Sequence, residues 1–210
     1  MTSQETAEKL KARFGEAVGA TVEFRGEITV TISPEKIVEA CRFLKAECGF
    51  DMLTDLSGVD NYGEDPRYEV DYYLYSLTHR CSIRLKVRIS EENMTVDTVS
   101  GVWRTADWHE REAFDMFGIR FRGHPNLKRI LMWDGYPYYP LRKDFPLAGI
   151  ETELPETAVN ADKVRTSSML GGPFVASSGT RSSLAREPRQ VDTVVENIER
   201  LKHPTKKEPV

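Results

Sequence analysis

Cysteine is scarce in this chain of 210 residues: Cys41, Cys48 and Cys81 are the only three, and no two of them form a Cys-x-x-Cys motif. An odd number of widely spaced cysteines argues against a disulfide framework. Iron–sulfur and structural zinc sites use closely spaced cysteine and histidine ligands, which this sequence does not supply. Cys41 and Cys48 lie seven residues apart in a predicted helix, so we expect two small core residues on one face.

Long apolar runs are also missing. No segment approaches the ~20 apolar residues that a membrane-spanning helix needs, and residues 1–8 lack the apolar core of a signal peptide. The net charge is −4, with lysine and arginine spread along the chain, so bulk electrostatics do not favour a nucleic-acid partner. We therefore expect a cytoplasmic protein. This expectation is compatible with docking on a membrane complex.

The sequence also lacks the common motifs of nucleophilic and nucleotide-dependent enzymes. No serine or cysteine stands in a nucleophile elbow, and no glycines form a phosphate loop or a dinucleotide fingerprint. Gly171-Gly172-Pro173 interrupts the chain without a predicted helix after it, whose N-terminus would be needed to bind an anion.

What the chain does contain is a succession of clear helix and strand patterns. Apolar spacing predicts a helix over residues 3–18, and alternation on either side of residues 25–27 predicts a hairpin. A second helix is expected between Ser33-Pro34 and Gly49. Its apolar stripe is Ile37, Cys41, Leu44 and Cys48.

Several strands follow this second helix before a third helix ends at Gly118. The predicted strands are residues 50–56, 68–77, 83–87 and 96–99. Residues 57–66 are rich in turn formers, and His79-Arg80 has the position of a hairpin connection. Adjacent strands with helices set to one side predict an α+β fold with a mostly antiparallel sheet. We assign this domain to residues 1–150.

From Leu147 onwards the composition changes, because glycine, proline and serine interrupt every periodic pattern. Such a segment cannot bury enough apolar surface to offset the cost of ordering, about 1–2 kcal/mol per residue. We predict that residues 151–210 form an extended tail that binds a partner or is partly disordered.

Charged residues are concentrated in the segment 108–146, which begins in the third helix. Glu110 and Glu112 are two residues apart and point to different faces of that helix, which argues against an acid–base pair. The spacing of Arg111 and Asp115 favours a local ion pair. Three interpretations stay open: solvated charges on a helix surface, an anchor between subunits, or acid–base catalysis by Glu112, Asp115 and His124.

His124 lies between Gly123 and Pro125, in what we predict to be a tight connection. A metal site would need further ligands at suitable spacing, and these are missing. We therefore expect His124 to form a hydrogen bond locally or at an interface.

Basic and aromatic side chains alternate beyond the third helix. The basic residues are Arg120, Arg122, Lys128, Arg129, Arg142 and Lys143, and the aromatic ones are Phe121, Trp133, Tyr136, Tyr138 and Tyr139. This composition occurs in proteins that bind single-stranded nucleic acid, and arginine, tyrosine and tryptophan also dominate the binding energy of protein interfaces. Four prolines fix the path of the chain, and acidic residues dilute the positive field, so a protein interface is the favoured prediction.

The order of these motifs resembles a known family. Residues 110–118 read EREAFDMFG, residues 121–125 read FRGHP, residues 127–131 read LKRIL and residues 140–146 read PLRKDFP. Together with FDMLTDLSGVD at residues 50–60, they resemble the 30 kDa subunit family of respiratory complex I, which comprises the subunits C of NADH-quinone oxidoreductases. The resemblance covers roughly residues 5–150 and is weaker in the tail.

This resemblance implies a structural subunit in the peripheral arm of a proton-translocating NADH:quinone oxidoreductase, with no catalytic, cofactor-binding or metal-binding residue of its own. FMN and the iron–sulfur clusters would lie in other subunits. The expected partners are subunits D, B and I, of which D forms the quinone site and B and I carry iron–sulfur clusters, at the cytoplasmic face of the inner membrane. The implied signature and interface residues are Glu110, Arg111, Glu112, Asp115, His124, Lys128, Arg129, Arg142, Lys143 and Asp144.

An alternative keeps the architecture and changes the enzyme. The chain would then be the equivalent subunit of a complex-I-like membrane-bound hydrogenase or of a dehydrogenase with another electron donor. In some members of the family subunits C and D are fused, whereas here a separate polypeptide is expected.

Overall fold

A computed structural model of the protein describes residues 1–150; the prediction of an extended tail concerns residues 151–210 and lies outside the described residues. Residues 1–132 form one compact unit, and the described residues 133–150 belong to a second one. The helices are α1 (Ser3–Phe14), α2 (Ile37–Cys48) and α3 (Ala106–Phe117). The strands are β1 (Val18–Phe24), β2 (Glu27–Ile32), β3 (Met52–Asp60), β4 (Tyr68–Ser76), β5 (Cys81–Ile89), β6 (Thr95–Asp97) and β7 (Arg120–Arg122).

Helix α1 is shorter than the helix predicted over residues 3–18. It begins with a capping box in which Thr2 accepts a hydrogen bond from the backbone of Glu5 and Glu5 accepts one in return. It ends at Gly15, whose φ of +51° no longer fits the helix. Val18 then starts β1, because a β-branched residue fits well in a strand paired with its neighbour.

The predicted hairpin is confirmed. Its two-residue turn consists of Arg25 and Gly26, with φ values of +53° and +81°. Two consecutive positive φ values characterise the tight turn whose twist matches that of paired strands. Glu27, which we placed in the turn, is instead the first residue of β2.

The main sheet has five strands in the order β1-β2-β5-β4-β3, and only β2 and β5 are parallel neighbours. Alternate side chains of β2 and β5 are buried, as the predicted alternation of Ile83, Leu85 and Val87 requires. The helices lie on one side of this sheet, which confirms the α+β class with a mostly antiparallel sheet.

Strand β3 differs from the prediction, which ended it at Leu56 and placed turns at residues 57–66. The strand continues to Asp60, which pairs with Tyr68 of β4. Pairing with a long neighbouring strand overrides the weak strand preference of the Ser57-Gly58 segment. The hairpin between β4 and β5 is confirmed at His79-Arg80, and β6 pairs in parallel with β7.

The cysteines behave as predicted. Cys41 and Cys48 are both buried in the core beneath α2, and all three cysteines of the chain are free thiols. Burial raises the pKa of the Cys41 thiol, which keeps it in its neutral, unreactive form. Among the described residues, no helix has the length and apolar character needed to cross a bilayer.

Residues 133–150 contain a row of aromatic rings. Trp133 and Tyr136 meet edge to face with centroids 5.5 Å apart, and Tyr136 and Tyr138 do the same at 5.8 Å. Phe145 extends the row at 6.0 Å from Tyr138. Tyr136 and Tyr138 are buried, so our expectation that these two rings belong to an exposed basic and aromatic surface is wrong.

Gly58 is required where α3 crosses β3. A methyl group at Gly58 would lie 2.6 Å from Cδ2 of Phe117, a buried ring at the end of α3. We expect Gly58→Ala to lower the free energy of unfolding by about 1–3 kcal/mol because the ring must shift. Gly101→Ala is the control, since a methyl group there meets nothing within 4 Å. Equal urea-unfolding midpoints for the two variants would contradict this prediction.

Candidate functional site

Helix α3 positions most of the charged segment. Its N-terminal side is fixed to β3 and to the residues just before it, because Thr105 donates a hydrogen bond to the carbonyl of Leu53 and the Trp103 ring donates one to the carbonyl of Phe50. The helix ends at Gly118, which has a left-handed conformation with a φ of +82°. This placement directs Glu110 and Asp115 into the protein.

Glu110 and Asp115 are both 0% exposed, so the interpretation of these two residues as solvated surface charges is wrong. Glu112, two residues after Glu110, is exposed, as the expected divergence of their directions requires. A buried carboxylate is unfavourable unless hydrogen bonds compensate for lost hydration. The partners of the two buried carboxylates therefore define what this segment does.

The Asp115 carboxylate fixes the chain at residues 129–132. Its Oδ2 atom accepts backbone N–H bonds from Ile130 at 3.0 Å, Leu131 at 2.7 Å and Met132 at 2.8 Å. Its Oδ1 atom accepts a bond of 2.6 Å from the Arg129 guanidinium. Three successive N–H groups form an anion-binding concavity of the backbone, and charge-assisted bonds of this kind are strong.

The predicted ion pair between Arg111 and Asp115 is wrong. Arg111 instead donates hydrogen bonds to the carbonyls of Lys128 at 3.1 Å and Arg129 at 3.2 Å. Its guanidinium also lies over the ring of Trp108, 5.1 Å from the centroid. The Asp115 carboxylate faces the interior and accepts its hydrogen bonds from residues 129–132. Arg111 therefore binds carbonyl groups of the loop and not the carboxylate one turn along its own helix.

The Glu110 carboxylate anchors the chain just after β6. It accepts a backbone bond of 2.7 Å from Val99 and a hydroxyl bond of 2.5 Å from Thr98. Burial raises the pKa of Glu110 to about 7, and these two hydrogen bonds oppose that rise. The Nε2 atom of His124 lies 3.8 Å from the same carboxylate.

His124 forms local hydrogen bonds, as predicted. Its fully buried side chain accepts the backbone N–H of Asn126 at Nδ1, over 3.0 Å. Because Nδ1 accepts this bond, Nε2 is the donor nitrogen, and it lies 3.1 Å from the carbonyl oxygen and 3.0 Å from the Oδ1 atom of Asp107. Among residues 1–150, no group of three or more histidine, cysteine or acidic side chains is placed to hold a metal ion.

Acid–base catalysis by Glu112, Asp115 and His124 gains no support from this geometry. Glu112 is exposed, Asp115 binds the loop, and His124 binds Asp107 and Asn126. The three side chains therefore have separate partners and do not converge on one pocket, which an acid–base site would require.

The remaining signature residues fall into two places. Lys128, in the first unit, is exposed. In the second unit Lys143 is exposed, Asp144 is half-buried, and Arg142 is 4% exposed with its guanidinium 4.5 Å above the Tyr139 ring.

Comparison with known proteins identifies the family of this chain. Residues 30–151 match the family described as "Respiratory-chain NADH dehydrogenase, 30 Kd subunit". The chain belongs to this family. Two of its relatives are named as subunits C of NADH-quinone oxidoreductases. The one from Rhizobium meliloti (strain 1021), numbered C 2, is 52% identical over 143 residues, which cover 67% of this chain and 78% of the relative. The one from Geotalea uraniireducens (strain Rf4) is 47% identical over 69% of this chain and 88% of its own.

Two solved structures resemble the fold of this chain. A trypsin-resistant fragment of Nqo5 is 29% identical, with a TM-score of 0.55 over 60% of this chain and 100% of the fragment. A polypeptide of an archaeal respiratory membrane complex, the membrane-bound sulfane sulfur reductase, has a TM-score of 0.60 over 74% of this chain and 98% of its own. At 20% identity, that second likeness shows a shared fold.

Sequence reasoning missed several polar residues that this member of the 30 kDa family depends on. Thr98 and Asp107 hold Glu110 and His124, and neither stands in a motif that announces such a role. Asp60 and Arg67 form a buried, two-pronged ion pair with N–O distances of 2.7 and 2.8 Å. The sequence could have indicated this pair only through position, because Asp60 ends β3 and Arg67 immediately precedes the neighbouring strand β4.

Asp115→Asn tests the role of the buried anion. The variant keeps the shape of the side chain but removes the charge that compensates Arg129, and breaking a buried pair costs about 3–5 kcal/mol of unfolding free energy. Glu112→Gln removes a charge from an exposed position on the same helix and is expected to change stability by less than about 0.5 kcal/mol. Denaturant unfolding of the two variants measures the difference, and similar midpoints would contradict the proposed anchoring.

The raised pKa of Glu110 predicts a pH dependence of stability. The pKa of Glu110 is about 7 in the folded protein, compared with the ordinary value of 4.5 expected in the unfolded chain. The folded protein therefore binds this proton more tightly than the unfolded chain does. Stability from this group is therefore present below about pH 4.5 and is lost as the pH rises towards 7. We expect wild type to lose stability relative to Glu110→Gln across this range.

Urea unfolding at several pH values measures this difference between wild type and the Glu110→Gln variant. Asp71, whose burial raises its pKa to about 6, titrates in both proteins and cancels in the comparison. Parallel curves for the two proteins would show that Glu110 does not titrate as its burial requires.

Proposed function

We propose that this chain is a cofactor-free structural subunit in the peripheral arm of a proton-translocating NADH:quinone oxidoreductase, where it transforms no molecule by itself. In this proposal it packs beside subunits D, B and I, which form the quinone site and carry iron–sulfur clusters, at the cytoplasmic face of the inner membrane. FMN and the iron–sulfur clusters belong to other subunits.

The observation that carries the proposal is the internal use of the signature carboxylates. Glu110 and Asp115 are buried, and their oxygens accept hydrogen bonds from the protein's own backbone and side chains. They fix the path of the chain, and leave other residues of the segment, such as Glu112 and Lys128, at the surface. A rigid segment that presents charged side chains suits a subunit that holds its neighbours in place.

Relatives favour this enzyme over the alternative with another electron donor. Curated relatives at 45–52% identity are named as subunits C of NADH-quinone oxidoreductases. The archaeal sulfane sulfur reductase shares the fold at 20% identity, which supports the architecture and not the donor. We therefore propose NADH as the donor of the parent complex.

Charge reversal at Glu112 tests whether α3 faces a partner. Glu112→Lys alters an exposed position of the signature and is expected to reduce incorporation into the complex at least about tenfold, because a misplaced charge in a packed interface is unfavourable. Glu8→Lys makes the same change at an exposed position of α1, outside residues 108–146, and is the matched control. Incorporation is measured on native gels with complex from cells that lack this chain.

The melting temperature of each variant must be measured beside its incorporation. We expect both variants to melt near wild type, since each side chain is exposed. Loss of incorporation by both variants, or by neither, would contradict a docking role for this face of α3. Iron or flavin in the purified chain would contradict the cofactor-free assignment.

A further inference from the structure

Within α3 and the chain that follows it to Met132, two large apolar side chains are exposed. Trp108 on α3 is 60% exposed and Leu131 in the following loop is 63% exposed. Single exposed apolar residues are common on protein surfaces. These two differ from scattered residues because one set of polar contacts holds both the Trp108 ring and the backbone of the loop that carries Leu131.

Arg111 provides the first of these contacts. Its guanidinium lies over the Trp108 ring, and its N–H groups bind the carbonyls of Lys128 and Arg129. Leu131 follows two residues later, and its own N–H group donates to Asp115. The helix residue Trp108 and the loop residue Leu131 are therefore held by the same small network.

The network makes the loop rigid before any partner arrives. The N–H groups of residues 130–132 all bind the single Oδ2 atom of Asp115, which is completely buried. The backbone that carries Leu131 is thereby fixed from inside the protein. Binding by a preorganised loop loses little conformational entropy, which raises its affinity for a complementary surface.

The charge around the two side chains indicates the kind of surface that fits. Residues 118–132, which contain Leu131, include four cationic residues and no acidic one, whereas Glu112, one turn after Trp108 on α3, is exposed and acidic. Asp97 forms an ion pair with Arg122, and Asp115 forms one with Arg129. The side chain of Lys128 is exposed, and its backbone carbonyl accepts a hydrogen bond from Arg111. A tryptophan flanked by arginine is typical of the residues that dominate binding energy.

We propose that Trp108 and Leu131 form a two-point anchor that enters an apolar socket on a neighbouring subunit, and that the rim of this socket is acidic opposite Lys128 and basic opposite Glu112. Arg111 positions the anchor, and Lys128 faces the acidic rim. This inference rests on the proposed function and names the chemistry of the surface that receives the chain.

Alanine variants of the anchor test the proposal. The dissociation constant is measured between the full-length chain and complex prepared from cells that lack it. Trp108→Ala is expected to raise it about 30-fold or more, and Leu131→Ala about tenfold, as for anchors at the centre of an interface. Lys128→Glu is expected to slow association and to reverse its dependence on salt, because it opposes the acidic rim.

Two exposed side chains elsewhere provide matched controls. Phe24 on β1 is 66% exposed and is the aromatic control for Trp108, while Leu77 is 59% exposed and is the aliphatic control for Leu131. Phe24→Ala and Leu77→Ala are expected to change the dissociation constant less than about twofold, since isolated exposed residues contribute little to a distant interface. All four alanine variants should melt within a few degrees of wild type.

The outcomes separate this inference from the proposed function. If wild type binds the complex and the two anchor variants bind equally well, the chain is a subunit but the anchor is overturned. If wild type itself does not bind, the proposed function fails. Anchor variants that convert a wild-type homodimer into monomers, without any loss of affinity for the complex, would show that the two side chains serve a contact between copies and would also overturn the anchor.

Discussion

The charged segment depends on one buried anion. Asp115 is completely buried, and its two oxygens accept three backbone N–H groups and the Arg129 guanidinium. Removing a carboxylate from water is costly, and only such a full set of partners offsets the loss. The reverse also holds, because residues 129–132 form no strand or helix whose own ladder would satisfy these N–H groups. The anion and the loop therefore require each other.

Glu110 has the same relation to a different stretch of chain. It binds Thr98 and Val99 just after β6, and burial raises its pKa while these hydrogen bonds oppose the rise. With Glu110, α3 holds the segment before the helix, and with Asp115 it holds the segment after it. A helix of only twelve residues thereby organises irregular chain on both sides, where apolar packing alone would leave backbone groups unsatisfied.

The parts of this fold that sequence predicts well are those with a repeating pattern. The buried alternation of β5, the stripe of α2 and the hairpin turn at Arg25-Gly26 each follow from local preferences. Strand β3 did not, because its continuation to Asp60 depends on pairing with β4 and not on its own residues. The site was hardest to predict, since the Asp115 partners are backbone N–H groups, which every sequence has and none displays.

A run of charges on one helix invites a catalytic explanation, and the geometry gives a structural one. In an acid–base site the carboxylates would converge on a shared pocket with atoms free to bind a substrate. Here Glu110 and Asp115 diverge to separate loops, and hydrogen bonds within the protein occupy their oxygens. The helix uses its buried charges to give the surrounding chain a fixed shape, so that the exposed side chains of Trp108, Glu112 and Lys128 are held in a defined arrangement.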